Sequence, residues 1–106
     1  MAGVNERVKA MTMVKHWNSE EEMLCDMRAE GFHPFHYTYP PGTVFRPHTH
    51  DHDKIAAVIE GTFRIIMGGE EVILKTGDGV FVPEGALHSA EVIGNEPVIS
   101  VDAPRR

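Results

Sequence analysis

A chain of 106 residues with 10 Lys and Arg against 16 Asp and Glu has a formal net charge of −6 with its histidines neutral. That balance excludes the basic footprint on which sequence-independent nucleic-acid binding rests. The 42% hydrophobic and 25% charged content fits an ordinary soluble globular protein with one core and one domain. One cysteine, Cys25, rules out an internal disulfide and makes a reducing compartment, the cytoplasm, the expected setting. The opening "MAGVNERVKAMTMVKHW" has no apolar core of a secretory signal, and no run approaches a membrane span, so no membrane partner is expected.

In chain order, "MTMVKHW" reads as an edge strand or an arm that packs on a neighbour. Next comes "NSEEEMLCDMRAEGF". Ser19 followed three residues on by Glu22 is a capping-box signature, and Glu20, Glu21 and Glu22 suit the positive end of a helix dipole. Met23, Leu24 and Met27 form an apolar stripe at helical spacing, and Gly31 is a stop. A short amphipathic helix is therefore predicted from about Ser19 to Glu30.

From Phe32 onward the texture is β-rich. "FHYTYP", "TVFRPH", "KIAAVIE", "TFRIIM", "EVILK", "GVFVP", "LHSAEVI" and "PVISV" are separated by turn residues such as "PPG", "TGDG" and "GNEP". Gly68-Gly69 is a two-residue hairpin signal, because both glycines tolerate positive φ. Many short strands with no helix between them point to an all-β sandwich or barrel rather than to parallel βαβ units. Phe45 and Phe81 read as core, Arg64 as a solvated strand face, and the terminal Arg105-Arg106 as a frayed tail.

Histidine carries the chemical signal. In a strand, residues at i and i+2 share a face, so His48 and His50 of "HTH" can reach one ion from one side. His88, the histidine of the C-terminal half, follows the "PEG" turn at the start of a strand that a barrel could set beside that pair. His16, His33 and His36 read as surface or partly packed. Cys25 has no basic neighbour to make it a nucleophile.

Gly42, five residues, His48-x-His50 and later Gly61 resemble the first motif of the cupins; Gly77, five residues, Pro83-x-Gly85, two residues and His88 resemble the second. The resemblance spans Gly42 to about Val92. It implies an antiparallel jelly-roll β-barrel with a short N-terminal helix, in a single domain: residues 1–33 as arm and helix, 34–104 as barrel. It also implies His48, His50 and His88 as ligands of a divalent transition metal (iron, nickel, zinc, copper or manganese) inside the barrel. Two positions depart from the pattern. Lys54 stands where the family places a glutamate ligand, and Val92 where it places an asparagine.

An ammonium cannot ligate. At an effective dielectric of 20, a dication and an ammonium 5 Å apart repel by ~6–7 kcal/mol before screening. Two readings of Lys54 follow. In the first it turns away, pairing with Asp51, Asp53 or Glu60, and three neutral imidazoles hold the metal. Such a site, known among dioxygenase-type cupins, has extra positive charge that favours a small anionic metabolite for oxygenation or isomerisation. In the second it points inward and anchors an anion itself, in a metal-free ligand-binding or sensing module. His52 shares the parity of His48 and His50 but sits where the motif bends, which suits the pocket rim or a supporting position. Tyr37 and Tyr39 share a parity and can line the pocket or face solvent together. A homodimer is expected from symmetry and edge protection.

Overall fold

The computed structural model describes residues 14–105. Along them run β1 (Val14–His16), α1 (Glu20–Ala29), β2 (Phe35–Tyr39), β3 (Val44–His48), β4 (Asp53–Glu60), β5 (Phe63–Met67), β6 (Glu70–Leu74), β7 (Asp78–Val82), β8 (His88–Val92) and β9 (Val98–Arg105). Two sheets form, one in the order β1-β7-β4-β9-β2 and one in the order β3-β8-β5-β6. Every strand pairing is antiparallel. This is the expected jelly-roll architecture, and each predicted strand run is present.

Local chemistry explains the elements. Ser19 Oγ accepts from the Glu22 N–H at 3.0 Å, while the Glu22 carboxylate reaches back to the N–H of Asn18 at 2.8 Å. Two free donors at the helix start are thereby satisfied. Gly68 and Gly69 have φ of 61° and 78° and close the β5–β6 hairpin in the left-handed region. Along β5, Phe63, Ile65 and Met67 are buried while Arg64 faces outward to pair with Glu71 and Glu91.

Strand β4 breaks the alternation: Ile55, Ala56, Ala57 and Val58 are all buried. It is central in its sheet and covered on both sides, which is why it reads as a continuous apolar run. Ala56 and Val58 join the core between the sheets, with Phe63, Ile65, Leu74, Val80 and Val98. Ile55 and Ala57 face a second cluster, where Met23 and Met27 of α1 pack with Trp17, Phe32, Val101 and Ala103. Gly79 permits this second layer, since a Cβ there would lie 2.7 Å from the Trp17 ring.

Both chain ends refine the expectations. Val14–His16 is an edge strand, paired with the chain's own β7 through Val14↔Val80; Met11, Thr12 and Met13 of the predicted arm lie outside the described residues. Arg105 is not a frayed tail. It continues β9 opposite Asp53, and its guanidinium lies 4.3 Å from the centroid of the Phe32 ring. The cation–π contact and an ion pair hold it at the end of β9. Arg106 lies outside the described residues.

Met27 is fully buried under the sheet. Met27→Ala is expected to lower unfolding free energy by roughly 2–5 kcal/mol, read as a shift in the urea midpoint.

Candidate metal centre

The sheet β3-β8-β5-β6 pairs His48 directly with His88. A register shift between Phe45 and His48 interrupts β3. Strict alternation would send residues three apart to opposite faces, yet Phe45 and His48 both line the interior, because the bulge rotates the strand between them. His50 lies just past the end of β3. The ring centroid of His48 is 4.3 Å from that of His88 and 4.8 Å from that of His50; His50 and His88 are 5.1 Å apart. One nitrogen from each ring lies within 4.8 Å of the others.

Backbone carbonyls orient two of the rings. Nδ1–H of His88 donates to the carbonyl of Ala86 at 2.9 Å, and Nδ1–H of His48 donates to that of Arg46. Each ring therefore presents the lone pair of its Nε2, the arrangement in which a second hydrogen bond fixes the tautomer of a ligating imidazole. The Nε2 atoms of His50 and His88 are buried and have no hydrogen-bond partner among the described residues. Buried polar atoms ordinarily find partners. Three convergent imidazoles with two such atoms fit a divalent transition ion.

Electrostatics favour the same state. Burial pushes the His50 imidazolium down to about 4, with Lys54, His88, His48 and His52 adding like-charge repulsion. Burial also lowers His88, helped by His48 and Lys54 and opposed by the hydrogen bond to Ala86. Both rings are neutral at pH 7 and keep their lone pairs.

Lys54 faces the barrel interior, with a side chain 13% exposed. Its ammonium pairs with Asp102 of β9 at 2.9 Å. The expected partners are Asp51, Asp53 and Glu60, and none of them is the acceptor. Asp53 is bound to Arg105, and Asp51 to His52. Asp102 lies opposite Ala56, the next inward residue after Lys54, so the two charges meet diagonally on one sheet face.

A cavity of about 50 Å³ runs from this pair to His48 and His88, with Tyr39, Ser100, Phe45 and Phe63 in its walls. Burial, then the Asp102 charge, raises the Tyr39 phenol to about 12, so it stays a neutral donor. Tyr37 stacks on Tyr39 with centroids 6.1 Å apart but is 46% exposed at the edge of β2 and does not line the cavity. His52 is not among the residues lining this cavity; its ring centroid is 5.5 Å from that of His50, its Nδ1 lies 3.0 Å from Asp51, and it contributes no nitrogen to the convergent set. Val92 is buried in the core between the sheets. Asp102 and Ser100 are additions from the structure. Their signal in "VISVDAP" is two polar residues at alternate positions on the inner face of an apolar strand.

The chain belongs to the cupin family: the family model for the cupin domain matches residues 35–103. It is 36% identical over 92 residues to the pectin degradation protein KdgF of Dickeya dadantii, covering 85% of this chain and 74% of that one. Among solved structures, KdgF from Halomonas sp. matches with a TM-score of 0.61 and 27% identity over 69% of this chain and 67% of the other. A cupin 2 conserved barrel domain protein from Salinispora arenicola matches with a TM-score of 0.63 at 20% identity over 72% of this chain and 64% of the other, a likeness of fold alone.

The depressed His50 value has a consequence for the metal-free protein. Between pH 6.5 and about 4 the unfolded chain takes up a proton that folded His50 refuses. Stability is therefore full above pH 6.5 and falls as the pH drops toward 4. Urea melts at pH 7 and 4.5 are expected to show this loss, and His50→Gln to make it smaller.

Proposed function

We propose that His48, His50 and His88 hold a divalent transition metal ion and that the protein acts on or binds a small anionic metabolite at the positions the ion leaves open. The buried, partnerless Nε2 atoms of His50 and His88 are the observation behind this reading. Imidazole ligands bring no negative charge to the ion, and the Lys54 charge is matched by Asp102. The ion's own charge is then the dominant one in the cavity, which favours a carboxylate, enolate or thiolate. The likeness to a pectin degradation protein supports a role in small-molecule metabolism.

The ion, when bound, supplies the Lewis acidity or oxygen chemistry that isomerase-like and dioxygenase-like reactions use. The chain's own residues orient and exclude. Tyr39 offers a phenol that keeps its proton. Lys54 retains ammonium protons beyond the one directed at Asp102. Phe45 and Phe63 keep the inner end of the cavity apolar. Imidazole ligands suit iron, nickel, zinc and copper, with manganese the harder candidate. Elemental analysis of tag-free protein is expected to find about one ion per chain, and the His48→Ala and His88→Ala variants to lose it. Occupancy below about one-tenth after incubation with each of these metals overturns the reading.

A second reading is favoured by the inward position of Lys54: its ammonium, held by Asp102, anchors the anion in a metal-free binding or sensing module. Lys54→Ala separates the two. Lost ligand binding with unchanged metal content supports the anchor, whereas a rise in metal affinity means that the ammonium opposed the ion.

A homodimer in the cytoplasm completes the proposal. The β2 edge leaves Phe35 and Tyr37 exposed, and Cys25 carries an exposed free thiol. Light scattering at micromolar concentration is expected to return the dimer mass; a monomer rejects it.

A further inference from the structure

His48 and His88 are held by strand pairing, but His50 is not: it lies past the last residue of β3 and before the first of β4. A ligand set needs its third member held as firmly as the other two, because coordination tolerates only a few tenths of an ångström. The segment bearing His50 is tied to the 83–85 turn, which leads into His88, at two points. The carbonyl of His50 itself accepts from Gly85 N–H at 2.9 Å. Three residues on, the Asp53 carboxylate accepts from Glu84 N–H at 2.8 Å.

Asp53 is in turn held from outside the barrel. Its second oxygen accepts from the Arg105 guanidinium at 3.1 Å. The same guanidinium donates to the carbonyl of Glu30 at 3.3 Å and lies over the ring of Phe32, with Phe81 6.0 Å away. The main-chain bond to Glu84 and then Arg105 hold the Asp53 carboxyl below its usual range, the mark of a carboxylate engaged through both oxygens. A continuous chain of contacts thus runs from the C-terminal end of α1 through Arg105 and Asp53 to the two turns that present His50 and His88.

We infer that Asp53 and Arg105 are positioning residues that set the spacing of His50 against His88 for metal binding. The inference rests on the three-histidine reading above. Neither residue belongs to the convergent nitrogens. They act on the ion through main chain: Arg105 orients Asp53, and Asp53 fixes the turn at Glu84. Arginine suits this task better than lysine because its planar fork can serve the Asp53 carboxylate and the Glu30 carbonyl at once while stacking on Phe32.

The test is the affinity of the full-length chain for Co²⁺, measured by chelator competition, with the visible absorption of the bound ion as a report on ligand geometry. Thermal melts of each metal-free variant run alongside. Arg105→Met keeps the apolar stem but loses the fork; Asp53→Asn leaves Arg105 on Phe32 and weakens only the charged link. Both are expected to bind Co²⁺ about 10- to 100-fold more weakly than wild type, the usual range for groups that orient metal ligands, and to alter its spectrum. Arg105→Lys is expected to recover part of the loss. Wild-type affinity and spectrum in a folded Asp53→Asn or Arg105→Met protein overturn the inference while leaving the metal site standing. Failure of the wild type itself to bind Co²⁺ overturns the metal reading and this inference with it. Should Arg105→Met not fold, Asp53→Asn decides alone.

Discussion

Lys54 stands on the inner face of β4, and its ammonium meets the Asp102 carboxylate of β9 at 2.9 Å. The rest of the site is built around that pair. An isolated ammonium among three imidazoles would repel both their protonated forms and any cation they bind, and the lowered values of His50 and His88 register part of that repulsion. With Asp102 in place, the lysine contributes a dipole rather than a bare charge. Removing one partner of this half-buried pair leaves the other without compensation, at a cost below the ~3–5 kcal/mol of a fully buried pair. The two residues therefore form one unit in the wall of the cavity.

Around it the fold divides the labour. Strand pairing sets His48 against His88, and the bulge in β3 turns His48 inward. Turns carry His50, so its position depends on bonds between neighbouring loops rather than on a ladder. The helix contributes from the opposite side of the sheet. Met23 and Met27 cover the outer face of β4 and β9, which frees the inner face of those strands to carry Lys54, Ser100 and Asp102 without exposing an apolar back. A sheet covered on both sides can hold polar groups in its interior only where they satisfy one another.

Family membership bears on the fold and leaves the chemistry to the site. One barrel architecture hosts many reactions, and the donors, charges and shape of the cavity choose among them. Here the cavity region offers three convergent imidazoles, a neutral phenol and an internally matched lysine. That combination differs from a site in which a carboxylate ligand cancels part of the ion's charge.

Periodicity, turn glycines and the capping box made the helix and the β runs from Phe32 onward readable from the chain alone, because each depends on neighbours a few residues apart. The spacing of His48, His50 and His88 within the two motifs was readable for the same reason. The partner of Lys54 was not. Carboxylates near in sequence are available, but Asp102, 48 positions away, is the partner because β4 and β9 are adjacent in the sheet. Arg105 likewise looks like a loose end until its strand brings it beside Asp53 and over Phe32. Sequence by itself determined which segments become strands and which histidines the two motifs single out. Only the tertiary structure decided which charges compensate one another, because strand order, and not chain distance, sets the separation on which Coulomb energy depends.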